Sequence, residues 1–140
     1  MTRIMIVDDS LHARRALKAL MSQQAGMDVA TEASNGREAI DTIHEQRPDI
    51  VIMDMCMPVM NGLETTRIIK KKWPQIRVVI LTMYPEYQAD VLEAGADAFL
   101  LKGCPMEEVT SLIHGFQERN MDDQSHTMER MAITYRPQNK

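Results

Sequence analysis

Short runs of consecutive apolar residues alternate along this chain with longer stretches whose apolar positions recur every three or four residues. Ile4-Met5-Ile6-Val7, Ile50-Val51-Ile52-Met53, Val78-Val79-Ile80-Leu81 and Ala98-Phe99-Leu100-Leu101 are the continuous runs. A weaker one lies around Val29 to Ala33. Runs of this length and composition suit strands buried on both faces of a parallel sheet.

The intervening stretches read as helices. Leu17, Leu20 and Met21 share one face of a helix expected over Leu11 to Gln24. Asn35 and Glu38 form a capping-box-like pair ahead of a second helix that Pro48 stops. Asn61 and Glu64 repeat that spacing before a third, over Leu63 to Trp73, stopped by Pro74. Pro85 sits near the start of the fourth and Gly95 just past its end. Pro105 opens the fifth, where Met106, Val109, Leu112, Ile113 and Phe116 form an apolar stripe. Five such units in series predict an α/β domain with a single five-stranded parallel sheet, right-handed crossovers and helices on both faces. The domain is expected over residues 1–118. A flexible polar tail is expected over 119–140, with a short helix around Met128.

Composition narrows the function classes. The net charge of −4 leaves no basic excess for a phosphate backbone, so direct nucleic-acid binding is not expected. Lys70-Lys71-Lys72 reads as a solvated helix face. The opening MTRIMIVDDS lacks the apolar core of a secretory signal, and no apolar stretch approaches the roughly 20 residues that span a bilayer. No membrane association is expected. Two well-separated cysteines, Cys56 and Cys104, with 13 methionines fit a reducing cytoplasm, the expected location. His12, His44, His114 and His126 read as surface residues. Met53, Met55, Met57, Met60 and Met83 crowd one region and read as adaptable packing.

In open parallel sheets, ligands sit past the carboxyl ends of the strands, where the strand order switches. The first strand ends in Asp8-Asp9, the third in Asp54, the fourth in Thr82 and the fifth in Lys102. If the first and third strands are neighbours, three carboxylates meet at one edge beside a hydroxyl and an ammonium. Two carboxylates about 4 Å apart repel by roughly 4 kcal/mol at a near-surface dielectric, so such a cluster either binds a hard dication or raises its pKa values. Mg2+ suits a few carboxylates plus water and phosphate, with Asp8 and Asp9 as the metal-holding pair. A carboxylate there can attack phosphorus and form an aspartyl phosphate. Lys102 and a Thr82 hydrogen bond would then serve the charge spread over the phosphoryl oxygens. Singly, each residue also reads as a helix cap, a turn former, strand packing or a solvated lysine. The joint placement at four strand ends is what carries the chemistry.

IMIVDDS (residues 4–10), DIVIMDMCMPVMNG (49–62), VVILT (78–82) and GADAFLLK (95–102) together resemble the receiver domain of two-component response regulators, from about Thr2 to Phe116. The resemblance implies a flavodoxin-like fold with strand order 2-1-3-4-5. It implies Asp54 as the phosphoacceptor, with Asp8, Asp9, Asp54 and the Cys56 backbone carbonyl around Mg2+. Lys102 would pair with the phosphoryl group, Thr82 would be the switch hydroxyl and Phe99 the switch aromatic. The implied phosphodonor is a histidine kinase or phosphotransfer protein. The implied activity is not that of an enzyme on other substrates, but of a domain that promotes its own phosphorylation and dephosphorylation. Homodimerisation on phosphorylation is a further expectation, with no face assigned.

The GADAFLLK wording is closest to receivers of LuxR-type transcription regulators, yet too few residues follow Phe116 for their helix-turn-helix domain. A stand-alone receiver and a receiver fragment both fit. Several positions depart from the family pattern. Lys102 is followed by Gly103-Cys104-Pro105 rather than directly by proline, and Thr82 by Met83 rather than a small residue. Met83 and Tyr84 are expected to shield an acyl phosphate from water. Two other classes compete. An aspartate-nucleophile phosphatase wants a second Asp where Cys56 stands, and a phosphorylation-independent docking module has no use for the intact acidic cluster.

Overall fold

The computed structural model describes residues 1–122 and 133–134. Strands β1 (Thr2–Val7), β2 (Met27–Ala33), β3 (Ile50–Met53), β4 (Arg77–Thr82) and β5 (Ala98–Leu101) alternate with helices α1 (Leu11–Met21), α2 (Gly36–Glu45), α3 (Gly62–Lys72), α4 (Gln88–Glu93) and α5 (Met106–Asp122). A single 3-10 turn over Pro85–Tyr87 leads into α4. The strands run parallel in the order β2-β1-β3-β4-β5, as expected.

Two features differ from the sequence reading. A sixth strand, β6 (Ile133–Thr134), pairs in parallel with Ala98 and Phe99 on the outer edge of β5. Two residues are too few to show a period, but an open strand edge offers unpaired N–H and C=O groups to any β-favouring segment. Secondly, α5 runs through Asp122, past the expected domain end at 118. Glu118, Arg119 and Met121 favour helix, and no glycine or proline intervenes to stop it. The rest of the expected tail, including the helix anticipated around Met128, lies outside the described residues.

Strand alternation divides the core in two. Met5, Val7, Val51, Met53, Val78, Ile80 and Phe99 face α2, α3 and α4, where Ile40, Ile43, Ile69 and Val91 meet them. Ile4, Ile6, Ile50, Ile52, Val79 and Leu100 face α1 and α5, where Met21, Val109, Ile113 and Phe116 meet them. Each such side chain contributes about 1.5–3 kcal/mol on burial. Double-sided burial is why these strands read as unbroken apolar runs. Leu20 departs from its expected place: it is 45% exposed, while its neighbour Met21 is fully buried.

The predicted caps form. Asn35 accepts from the Glu38 N–H at 2.9 Å, and Asn61 from that of Glu64 at the same distance. Glu38 in turn takes the Ser34 N–H at 2.6 Å, and this hydrogen bond holds its pKa below the ordinary carboxylate value. Ser10 caps α1 through the Ala13 N–H, fixing the helix directly behind the Asp8-Asp9 pair.

One loop carries backbone strain. Val59, between β3 and α3, has φ of 71° with its side chain 77% exposed. A β-branched residue in the left-handed region costs about 1–2 kcal/mol, and little burial offsets that here. Val59→Gly is therefore expected to stabilise the domain by about 0.5–1 kcal/mol once glycine's greater unfolded-state freedom is subtracted. Urea denaturation of the two proteins measures it, and an unchanged or lower midpoint refutes it.

Candidate functional site at the carboxyl edge of the sheet

The register of β1 on β3 pairs Val7 with Met53, so the residues that follow, Asp8 and Asp54, leave the sheet side by side. The Asp54 N–H donates to the Val7 carbonyl at 3.0 Å and extends the pairing by one step. Oxygens of Asp8, Asp9 and Asp54 lie within 4.8 Å of one another. Asp8 is buried, Asp54 half-buried and Asp9 exposed.

Lys102 enters this cluster from the end of β5. Its Nζ donates to Asp8 Oδ2 at 2.8 Å and to Asp54 Oδ2 at 3.1 Å. Its own N–H donates to the Thr82 carbonyl at 2.8 Å, which ties the ends of β4 and β5 together. The other oxygens of Asp8 and Asp54 are also placed: Asp8 Oδ1 accepts from the Ser10 N–H at 2.9 Å, and Asp54 Oδ1 from that of Met55 at 2.7 Å. Burial alone would lower the Lys102 pKa, but the hydrogen bond to Asp8 and the charge of Asp54 outweigh it and hold the ammonium above its ordinary value.

Three carboxylates and one ammonium leave the site two charges negative. An all-oxygen donor set of this size, open through Asp9 to solvent, fits a hard dication such as Mg2+ that keeps several waters. A thiolate ligand does not fit. Burial, followed by the charges of Asp54, Glu86 and Asp9, pushes the exposed Cys56 thiol up and keeps it protonated.

The other expected residues stand around this centre. Thr82 is wholly buried, and its hydroxyl accepts from the Tyr84 N–H at 3.4 Å. Phe99 is 1% exposed and packs in the α2–α3–α4 half of the core. Met83 and Tyr84, which follow Thr82, are 62% and 45% exposed. Beside Asp8, Asp54 and Lys102 opens a mainly apolar groove of about 260 Å3, lined by Leu17 and Leu20 of α1 and by Met106 and Val109 of α5.

Two glycines shape the surrounding backbone. Gly62 opens α3 directly against the site: a Cβ there would lie 2.5 Å from the Asp54 carbonyl oxygen. Gly103 has φ of 96° and turns the chain from Lys102 toward α5, while the Cys104 N–H closes the turn on the Leu101 carbonyl. That left-handed turn accounts for the glycine inserted between Lys102 and Pro105. Arg14 and Glu32 also border the site, and nothing in their sequence positions marks them. Arg14 Nη1 donates to the Asp8 carbonyl at 2.6 Å and its Nε to Glu32 of β2 at 3.2 Å. Only the packing of α1 beside β2 brings residues 18 positions apart into this contact.

Fold and site together describe a domain of one family, and comparison with known proteins agrees. The chain belongs to the response regulator receiver domain family, whose family model matches residues 4–114. It is 36% identical over 115 residues to the response regulator protein VraR of Staphylococcus saprophyticus, covering 79% of this chain and 54% of that protein. VraR of Staphylococcus aureus matches to the same extent. The chain thus spans about half the length of the curated relatives it matches. A crystal structure of a LuxR-family two-component response regulator from Aurantimonas sp. superposes with a TM-score of 0.78 at 33% identity, over 85% of this chain and 87% of that one. A LuxR-family DNA-binding response regulator from Staphylococcus aureus gives 0.78 at 31% identity, over 83% of this chain and 98% of that one. The chain is therefore a receiver domain of two-component, phosphorylation-activated signalling. No helix among the described residues is long and apolar enough to cross a membrane.

Two outcomes test this geometry. Gly62→Ala forces a methyl group against the Asp54 carbonyl and is expected to lower stability by about 1–3 kcal/mol, the usual range for overpacking; an unchanged melting temperature refutes it. For Lys102, a folded-state pKa raised above the unfolded value of 10.5 means that its contribution is whole below pH 10.5 and is lost as pH climbs through the folded value. The difference in urea midpoint between wild type and Lys102→Met, without divalent cation, should therefore hold steady from neutral pH upward and narrow above pH 10.5. A difference that narrows between neutral pH and pH 10 would contradict it; protonating Asp8 and Asp54 in acid removes the ion pairs separately.

Proposed function

We propose that this receiver accepts one phosphoryl group on Asp54 and uses it to switch its surface. The observation that carries the reading is the Asp54 carboxylate, oriented by the Met55 N–H and Lys102 within reach of the Asp8 and Asp9 oxygens. Asp8, Asp9 and Asp54, with the Cys56 carbonyl, are the residues to hold Mg2+. When bound, Mg2+ neutralises charge on the phosphoryl oxygens and on the crowded carboxylates.

The chain's own groups do the rest. An Asp54 oxygen attacks the phosphorus in line with the departing nitrogen of a phosphohistidine. The O–P bond forms as the P–N bond breaks, and the imidazole leaves with its electron pair and takes a proton from water. Lys102 stays within reach of the incoming oxygens, holding the charge that Asp54 hands over. Hydrolysis by water, at the same phosphorus, returns the free carboxylate. Thr82 is the switch hydroxyl: it exchanges the long bond from Tyr84 for one to a phosphoryl oxygen. Phe99, already inward, fills the space that this movement leaves.

The donor is a histidine kinase or a phosphotransfer protein in the cytoplasm. The apolar groove between α1 and α5, which adjoins Asp54, supports a protein donor over a small metabolite as the natural one. The output is a change in binding to a partner or to a second copy of the chain.

Intact mass after incubation with acetyl phosphate and Mg2+ tests the reading. One phosphoryl adduct is expected in the wild type, none after EDTA and none in Asp54→Ala. An adduct that persists in Asp54→Ala assigns the chemistry elsewhere. A folded wild type that takes no adduct from acetyl phosphate or from a phosphohistidine protein overturns phosphoacceptance altogether.

A further inference from the structure

The β1–α1 turn carries two of the three carboxylates, yet among the described residues only Asp8 has its side chain tied down. Lys102 and the Ser10 N–H hold the Asp8 carboxylate. Asp9 is exposed. The peptide plane between Asp8 and Asp9 sets where the Asp9 Cα stands, and so limits the directions its carboxylate can take.

That plane is fixed from one side. The Asp8 carbonyl, whose oxygen lies in the plane, takes a charge-assisted bond of 2.6 Å from Arg14 Nη1. The Arg14 guanidinium is itself held at Nε by Glu32 Oε1 at 3.2 Å, and Lys18 Nζ meets Glu32 Oε2 at 3.3 Å. The Arg14 side chain is only 14% exposed. A guanidinium presents several donors in a rigid plane, so it can serve a carbonyl and a carboxylate at once; a lysine ammonium on a flexible stem cannot hold the same fork. The Asp8 N–H donates to the Ala33 carbonyl at the end of β2, so β2 grips this residue through both its backbone and Glu32.

From this geometry we infer that Arg14, braced by Glu32, is a positioning residue for the acidic site: it locks the Asp8–Asp9 peptide so that the Asp9 carboxylate faces Asp8 and Asp54. The inference rests on the metal-site reading of that cluster. Arg14 touches neither metal nor phosphoryl group. It acts by pre-orienting a ligand, the role that partners behind a metal site commonly play. Without the clamp the Asp8 carbonyl is free to turn to solvent, and Asp9 samples directions away from the site.

The test is Mg2+ titration of the whole chain by calorimetry, beside thermal melting in EDTA. Arg14→Ala is expected to weaken Mg2+ binding about tenfold, in the lower part of the range for residues behind metal sites. Arg14→Lys should keep the charge yet recover less than half of that loss on a logarithmic scale. Glu32→Gln should weaken binding in the wild-type background and have no further effect on Arg14→Ala, because the two act as one device. Phosphorylation by acetyl phosphate should recover in Arg14→Ala when Mg2+ is raised to saturation. A fully restored affinity in Arg14→Lys would reduce the role to bulk charge and overturn the proposal. So would a folded Arg14→Ala that binds Mg2+ within twofold of wild type. If Arg14→Ala fails to fold, Arg14→Lys and Glu32→Gln carry the same comparison. A wild type that binds no Mg2+ overturns the metal-site reading itself; wild-type binding with an unaffected variant overturns the clamp alone.

Discussion

Lys102 stands between Asp8 and Asp54, and the arrangement of charges at this edge of the sheet governs much of what surrounds it. Three carboxylates so close repel one another by several kcal/mol in sum at a near-surface dielectric. One ammonium offsets part of that. The remainder suits the site to a hard dication. A site already neutral would have no such appetite.

Keeping those charges together demands a rigid frame. The carboxylates come from β1 and β3 and the ammonium from β5, so their separation depends on the parallel register of the intervening pairs. Nearly every residue of these strands is buried on one face or the other, and a one-residue slip would exchange the two halves of the core. The same register brings Thr82 and Lys102 to neighbouring strand ends, joined by a backbone hydrogen bond. Packing thus fixes the chemistry: the core is the device that holds like charges at a working distance.

Loops complete what the strands begin, and their residues are chosen for backbone reasons. Gly62 leaves room for the Asp54 carbonyl, and Gly103 turns the chain away just after Lys102. Val59 bears a left-handed backbone in the same β3–α3 loop that follows Asp54. Val59 in that loop, and Met83 and Tyr84 just after β4, are exposed apolar side chains.

By itself the sequence determined the five strands and five helices, because burial on both sheet faces writes unbroken apolar runs and one-sided helix burial writes a period near 3.6. It also determined the capping pairs at Asn35 and Asn61 and the residues of the acidic cluster, since strand ends and caps are local signals. The tertiary structure decided what depends on residues distant along the chain. That Lys102 bridges Asp8 and Asp54 rather than pointing to solvent follows from strand order and register. That Arg14 reaches the Asp8 carbonyl and Glu32 follows from how α1 lies against β2. The short sixth strand on β5, the exposure of Leu20, Met83 and Tyr84, and the inward seat of Phe99 are likewise products of packing. A period or a motif records which neighbours a residue has along the chain; it holds no record of the neighbours that folding brings from elsewhere.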